Sequence, residues 1–224
     1  MTKPVIAIDG PAGAGKSTVS RRVAQVLGLR YVDSGAMYRV IGVLADEQRT
    51  DLGDSVALAA LCDALELRFE EREHGLRVLA NGRDLSQAIR TAAAGQLASK
   101  VSVVPVVRER LVALQRAMAA GGGVVMEGRD IGTVVLPQAT VKIFLVASAA
   151  ERARRRCAEL AGRGETVDLA QVTQEIEERD RRDQSRAHSP LRPADDAVLV
   201  DTTGEAIEAV VERVRGLLAA RPNP

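Results

Sequence analysis

The chain has 224 residues, 46% hydrophobic and 27% charged, with a formal net charge of +1. That length and balance suit a soluble globular protein whose core fits in one domain. They exclude a strong field for DNA or RNA, and two Tyr, two Phe and no Trp leave few stacking platforms for single strands, so no nucleic-acid partner is expected.

No apolar run approaches the ~18 residues of a membrane span, and the N-terminus has no basic segment leading into an apolar stretch. Cys62 and Cys157 lack metal-site spacing and read as unpaired thiols. A cytoplasmic protein without a membrane partner is expected.

In chain order, Val5-Ile6-Ala7-Ile8-Asp9 reads as a short buried parallel strand. It runs into Gly10-Pro11-Ala12-Gly13-Ala14-Gly15-Lys16-Ser17, a complete G-x-x-x-x-G-K-[ST] phosphate loop. Beyond it Val19, Val23, Val26 and Leu27 recur at helical spacing, with Arg21, Arg22 and Gln25 on the other face. Strand, glycine loop and helix together predict a nucleoside triphosphate site over Gly10 to Thr18. Glycines without Cβ let successive backbone N–H groups close on a polyphosphate, at a helix N-terminus that carries partial positive charge. Lys16 is expected to bridge the β- and γ-phosphates and the Ser17 hydroxyl to ligate Mg²⁺.

Gly28 is a stop signal, and Leu29 to Asp33 reads as a second strand before the turn-prone Ser34-Gly35. Helices are predicted over 36–45 and from Val56 to Leu65. Leu65, Leu67 and Phe69, then Leu76, Val78 and Ala80, alternate with polar residues before Asn81-Gly82, the pattern of antiparallel hairpins with one wet face. This predicts an inserted subdomain over about 62–90. Leu111, Leu114 and Met118 mark a helix that Gly121-Gly122-Gly123 ends. Strands follow from Val124 to Glu127 and Val141 to Val146, then helices over 149–161 and 169–185, and a strand from Ala197 to Val200. Thr202-Thr203-Gly204-Glu205 reads as a capping signal opening a last helix. Strands alternating with helices imply a mostly parallel sheet, with ligands beyond the strands' carboxyl ends.

No N-K-x-D guanine-reading sequence is present. Instead an Arg stands near a carboxylate or hydroxyl after each strand end: Ser34 with Arg39, Arg129 with Asp130, and Arg179 and Arg186 with Asp183. Of 31 basic residues only Lys3, Lys16, Lys100 and Lys142 are lysines, and arginine forks suit bidentate phosphate recognition. Such arginines would converge on a second anion beside the loop. Surface ion pairing is the competing account. It weighs most for the run Arg152 to Arg156 and least for Arg129, which follows a buried strand through one glycine.

On these residues the chain resembles the bacterial cytidylate kinases along nearly its whole length. The stretches that carry the resemblance are Ile8-Asp9-Gly10-Pro11 with the glycine loop, Asp33-Ser34-Gly35-Ala36-Met37-Tyr38-Arg39, and Gly128-Arg129-Asp130-Ile131-Gly132-Thr133-Val134-Val135. Lys142-Ile143-Phe144-Leu145, Arg179-Asp180 through Asp183 and Arg186, and Pro190-Leu191 add to it. The resemblance implies an α/β P-loop kinase fold: a five-stranded parallel sheet flanked by helices, with a monophosphate-binding insert containing antiparallel hairpins. A mobile lid is implied around 154–165, all in one kinase domain over 1–224. ATP and Mg²⁺ are the implied donor and cofactor, CMP and dCMP the acceptors.

Position by position, Ser34, Arg39, Arg129 and Arg186 look like ligands of the acceptor phosphate, and Arg179 and Asp183 like ribose contacts. Ser99, Arg108 and Asp130 look like readers of the cytosine ring, and Arg155 and Arg156 resemble lid arginines that close on the donor phosphates. Lys16, Arg129, Arg155 and Arg186 would then carry catalysis. Glu127 departs from relatives that carry Asp there, which leaves open whether it helps order the waters of Mg²⁺.

Base chemistry agrees with this assignment. A carboxylate such as Asp130 accepts from the exocyclic amine of cytosine but would face the carbonyl oxygen of uracil with no proton between them. The attacking group is a phosphate oxygen, so no general base is needed and neither His74 nor His188 is assigned a role. Other readings are a kinase of UMP or a phosphate-free metabolite, or a nucleotide-switched regulatory module. The resemblance and the lack of a spare apolar helix face favour a monomer.

Overall fold

The computed structural model describes residues 3–72, 75–162, 164, 166–186 and 189–221. His74, His188 and two residues of the expected lid, Arg163 and Glu165, lie outside the described residues. Along the chain come β1 (Val5–Asp9), α1 (Lys16–Leu27), β2 (Arg30–Asp33), α2 (Ser34–Glu47), α3 (Ser55–Asp63) and β3 (Leu67–Arg72). Next are β4 (Gly75–Ala80), β5 (Arg83–Asp84), α4 (Ala92–Val101), α5 (Pro105–Ala119), β6 (Val124–Gly128) and β7 (Val141–Val146). The chain closes with α6 (Ala149–Ala161), α7 (Leu169–Gln184), β8 (Val198–Asp201) and α8 (Ile207–Ala219). A 3-10 turn covers Ala88–Arg90 and a π-helical turn covers Ile131–Val135. The chain divides into two compact units, one of residues 1–31 with 121–224 and one of residues 32–120.

The main sheet has five strands in the order β2-β6-β1-β7-β8, with β1 paired in parallel to both β6 and β7; four of the strands lie in the first unit, and β2 spans the boundary at residues 31 and 32. Central parallel strands are covered on both faces and so read as unbroken apolar runs. Ile6, Ala7 and Ile8 on β1 and Val124, Val125 and Met126 on β6 are accordingly fully buried. The register sets Asp9 opposite both Gly128 and Phe144. The loops after β1 and β6 therefore leave the sheet side by side at its carboxyl edge.

The helix after the loop forms, but its apolar face is shorter than the spacing predicts, since Val26 is exposed. Val19, Val23 and Ala24 face inward, and Gly28 ends the helix in the left-handed conformation, its N–H on the carbonyls of Ala24 and Gln25. Helices α6 and α7 pack on each other through Ala153, Val172 and Ile176, with Cys157 and Val167 against them. One expected start is corrected. The last helix begins at Ile207, and its N-cap, Ala206, makes no side-chain cap. The Thr202 hydroxyl is engaged instead with the carbonyls of Ala14 and Val146, so the capping signal around it is spent on tertiary contacts.

The second unit combines helices with a three-stranded antiparallel sheet, β3-β4-β5. Leu76, Val78 and Ala80 of β4 turn inward, as the alternation predicts, and Phe69 pairs with Val78. Asn81 and Gly82 both take positive φ, the geometry a two-residue hairpin turn demands. Helix α4 escaped the sequence reading, because Ala92-Ala93-Ala94-Gly95 has almost no apolar periodicity. What holds it is α2: a Cβ on Gly42 would lie 2.8 Å from Leu97 Cβ and 3.0 Å from the Leu97 carbonyl carbon, so the two helices approach through a missing side chain. Among the described residues no helix is long and apolar enough to cross a membrane.

Candidate active site

The glycine loop occupies the turn between β1 and α1. Gly10 has φ +147, and a Cβ there would stand 2.1 Å from the Leu145 carbonyl oxygen, so no other residue fits. Gly13 and Gly15 have φ +77 and +86, which aims successive peptide groups as a phosphate cradle requires. Lys16 is buried and donates from Nζ to the Pro11 carbonyl at 2.7 Å. Burial holds its ammonium well below the usual lysine range and the nearby Arg129 adds to this, while Glu127 and Asp9 oppose it. Ser17 is exposed at the first turn of α1.

At the end of β6, Arg129 reaches three partners. Its Nη1 donates to the Gly10 carbonyl at 2.9 Å and to the Gly128 carbonyl at 3.4 Å, and its Nε donates to Asp183 Oδ2 at 3.0 Å. Asp183, on α7, also accepts from Arg186 Nη2 at 2.5 Å, and Arg179 Nε lies 4.0 Å away. Burial pushes the Asp183 carboxyl up, but Arg129, Arg186 and Arg179 together bring it below the ordinary aspartate value. Arg129, singled out in the sequence with Asp130, thus joins Arg179, Asp183 and Arg186, singled out together further on, in one cluster tied to the phosphate loop. Both Asp183 oxygens already carry arginine hydrogen bonds, so a ribose hydroxyl would have to share them.

Asp130 is buried at the N-cap of the π-helical turn without bonding that turn's backbone through its side chain. The turn is held instead by Asp9, which accepts from the Ile131 and Gly132 N–H groups at 2.8 and 2.7 Å. Burial raises the Asp9 carboxyl to about 6, with the two backbone hydrogen bonds pulling the other way. Glu127 is also buried and accepts from the Tyr31 hydroxyl, while Arg21 lies over the Tyr31 ring at 5.7 Å.

The fold separates Arg152 from Arg155 and Arg156, which the sequence left in one basic run. Arg152 is buried: Nη1 donates to the Ala12 carbonyl at 3.2 Å and meets Asp180 Oδ2 at 2.6 Å, and Nε donates to the Ala147 carbonyl. A Cβ on Gly13 would press on Arg152 Cβ at 3.0 Å. Surface ion pairing does not describe this residue, which anchors α6 and α7 to the phosphate loop. Helical periodicity could have placed Arg152 on the same face as the buried Ala153–Leu160 side, but nothing in the sequence says that a loop carbonyl waits there. Arg155 donates to Glu151, to the Thr202 hydroxyl at 3.0 Å and to the Thr202 carbonyl at 2.6 Å, beside Gly15. Arg156 pairs with Glu159 on the exposed side.

The remaining predicted residues belong to the second unit. Ser34 is buried in the first turn of α2, whose N-cap Asp33 accepts from Ala36 N–H at 2.8 Å. Arg39 donates from Nε to the Gly35 carbonyl at 3.2 Å, and its Nη2 lies 3.4 Å from Asp33 Oδ2. Ser99 is buried on α4 with its carbonyl taken by the Ser102 hydroxyl, and Arg108 is half-buried on α5.

No cluster of three His, Cys, Asp or Glu side chains suited to a metal occurs among the described residues. Near the loop stand the exposed Ser17 hydroxyl and two buried carboxylates, Asp9, engaged with the Ile131 and Gly132 N–H groups, and Glu127, engaged with the Tyr31 hydroxyl. Few protein oxygens beside a phosphate cradle is the donor set that fits Mg²⁺, which keeps water and substrate phosphate ligands.

The chain can now be set against known proteins. The family model described as cytidylate kinase matches residues 6–219. A cytidylate kinase of Pelotomaculum thermopropionicum is 52% identical over 218 residues, covering 97% of this chain and 96% of that protein. One from Syntrophotalea carbinolica is 50% identical over 217 residues, covering 97% and 92%. Among solved structures, a gluconokinase from Sinorhizobium meliloti aligns with a TM-score of 0.50 at 15% identity, over 97% of this chain and 93% of its own, a likeness of fold alone. With a family match across nearly its whole length and relatives at half identity over almost all of it, the chain belongs to the cytidylate kinase family.

Proposed function

We propose that the chain transfers the γ-phosphoryl group of ATP to a phosphate oxygen of CMP or dCMP, giving ADP and CDP or dCDP. Family membership supports the reaction. The observation that carries it to these residues is the cluster of Arg129, Arg186 and Asp183, joined by a 2.9 Å hydrogen bond from Arg129 to Gly10 of the phosphate loop. Cationic forks beside a polyphosphate cradle suit the meeting of two polyanions.

The acceptor oxygen attacks the γ-phosphorus, the bond to the bridging oxygen breaks, and ADP leaves. The second pKa of a phosphate monoester is about 6, so the nucleophile is already largely ionised near neutrality and no side chain need remove a proton. Catalysis is then positioning and charge neutralisation. Backbone N–H groups of residues 10–18 hold the donor phosphates, Lys16 balances charge on the transferred group, and Arg129 and Arg186 grip the acceptor phosphate. Arg155 turns from Thr202 toward the donor. Mg²⁺, bound with the nucleotide and ligated by Ser17, would neutralise further phosphate charge.

By the family resemblance, Ser34 and Arg39 also bind the acceptor phosphate, Arg179 and Asp183 the ribose, and Ser99, Arg108 and Asp130 the cytosine. The same resemblance supports one kinase domain with a hairpin insert, a lid over 154–165, and a cytoplasmic monomer that takes nucleotides rather than nucleic acid or membrane as partners.

A coupled ADP-release assay across CMP, dCMP, UMP, AMP and GMP tests the acceptor. Turnover should be highest with the cytosine nucleotides, and equal or greater turnover with another acceptor defeats the assignment. Asp130→Ala should lower kcat/KM for CMP by about a hundredfold and for UMP far less. A uniform loss would show that Asp130 does not read the base.

A further inference from the structure

The π-helical turn Ile131–Val135 begins with N–H groups that have no partner within the turn. Its own N-cap residue, Asp130, would ordinarily turn its carboxylate back onto them, yet it makes no such bond. Asp9, more than a hundred residues earlier in the chain, supplies both acceptors instead. Oδ1 takes the Ile131 N–H at 2.8 Å and Oδ2 the Gly132 N–H at 2.7 Å. Because Asp9 ends β1 directly opposite Gly128 of β6, its carboxylate stands on the central strand and reaches under the turn that follows the neighbouring one. On the other side, the buried stem of Lys142 closes on Gly132: a Cβ there would meet Lys142 Cδ at 3.2 Å and Asp9 Oδ2 at 3.4 Å. Lys142 is itself fixed by a 2.9 Å hydrogen bond from Nζ to Asp196 Oδ1.

We infer that Asp9 is a positioning residue for acceptor selection: by capping the turn after β6 from β1, it relieves Asp130 of that task and sets where the Asp130 carboxylate is presented. A buried carboxylate is a costly anchor, and two short backbone hydrogen bonds to consecutive residues explain why it is kept there rather than an apolar side chain. The same residue leads directly into Gly10, so the donor loop and the acceptor-reading turn share one strand end. This inference rests on Asp130 reading the base.

Asp9→Asn keeps size and shape but puts an amide N–H where one acceptor stood, so one of the two turn N–H groups loses its partner. The variant should raise KM for CMP by about tenfold and lower the CMP-to-UMP ratio of kcat/KM, while affinity for a fluorescent ATP analogue without acceptor stays within about twofold. Gly132→Ala, which crowds the same turn from the Lys142 side, should move both quantities in the same direction. The double variant should lose less than the product of the two single losses, since both act through one turn.

Equal losses for CMP and the ATP analogue, unchanged CMP-to-UMP discrimination, or independent effects in the double variant would each overturn the inference. Should Asp9→Asn not fold, Gly132→Ala decides alone: an unchanged CMP-to-UMP ratio overturns the inference, and a lowered ratio with retained affinity for the ATP analogue supports it. If Asp130→Ala itself leaves CMP preferred, the reading of Asp130 has failed. If Asp130→Ala abolishes the preference but Asp9→Asn does not, only the role of Asp9 has failed.

Discussion

Two arginine–aspartate pairs, one in the hairpin sheet and one beside the phosphate loop, look alike by distance. Arg77 Nε meets Asp84 at 2.7 Å and Arg129 Nε meets Asp183 at 3.0 Å. Their surroundings differ. The side chains of Arg77 and Asp84 are 39% and 44% exposed, those of Arg129 and Asp183 19% and 2%. Around the first pair lie Glu70 and Arg72, also paired and exposed, and water does most of what each partner does. Around the second, three guanidinium groups crowd one carboxylate that water hardly reaches. Burial, not residue type or separation, is what makes a charge consequential, and it explains why arginine-rich composition was uninformative until each arginine was placed.

The comparison can be broken at its strongest point first. Lys16→Ala should cut kcat about a thousandfold by removing a buried cation from the transferred phosphoryl group, and near-normal turnover in a single-turnover assay would contradict its role. Next in size, Asp183→Asn leaves Arg129, Arg179 and Arg186 without their shared counter-charge and should destabilise the protein by about 3 kcal/mol, read as a lower denaturation midpoint.

Titration sharpens this, because two of the buried aspartates of the first unit, Asp183 and Asp9, run in opposite senses. The Asp183 pKa is lowered on folding, so its stabilisation is present above the unfolded aspartate value and is lost as pH falls through the folded one. Asp9 is raised to about 6, so its contribution is complete below about 3.8 and is lost as pH rises through about 6, a change of about 3 kcal/mol by linkage. The Tm advantage of wild type over Asp183→Asn should therefore shrink on acidification, and that over Asp9→Asn should shrink between about pH 4 and 6.5 as pH rises. Parallel trends would mean that one of the two shifts has the wrong sign. Smallest of all, Asp84→Asn in the hairpin sheet should leave both Tm at pH 7 and kcat/KM within experimental scatter. A drop comparable to that of Asp183→Asn would erase the distinction between the regions.

Some of this was readable in the amino-acid order alone. The strand, glycine loop and first helix are contiguous, and their signals are local: an apolar run, glycines where φ must be positive, and 3.6-residue spacing. The hairpins announced themselves by alternation and Asn81-Gly82 for the same reason. Helix α4 did not, because what stabilises it is the bare surface of Gly42 on another helix. Thr202 misled, since a hydroxyl followed three residues later by Glu205 satisfies the local rule for a cap, while the folded chain brings the Ala14 and Val146 carbonyls within its reach. Arg152 sat in a run that looked solvated, and packing under Gly13 distinguishes it from Arg156, about one turn further along the same helix.

The amino-acid order by itself determined the phosphate loop, the alternation of strands and helices, and the roster of arginines and carboxylates, because each depends on neighbours within a few residues. Tertiary structure decided which of those charges lost their water. It put three arginines on Asp183 and brought the Asp9 carboxylate under a turn more than a hundred residues further along. Desolvation and hydrogen-bond geometry depend on what surrounds a group from every side, and no stretch of chain carries that information alone.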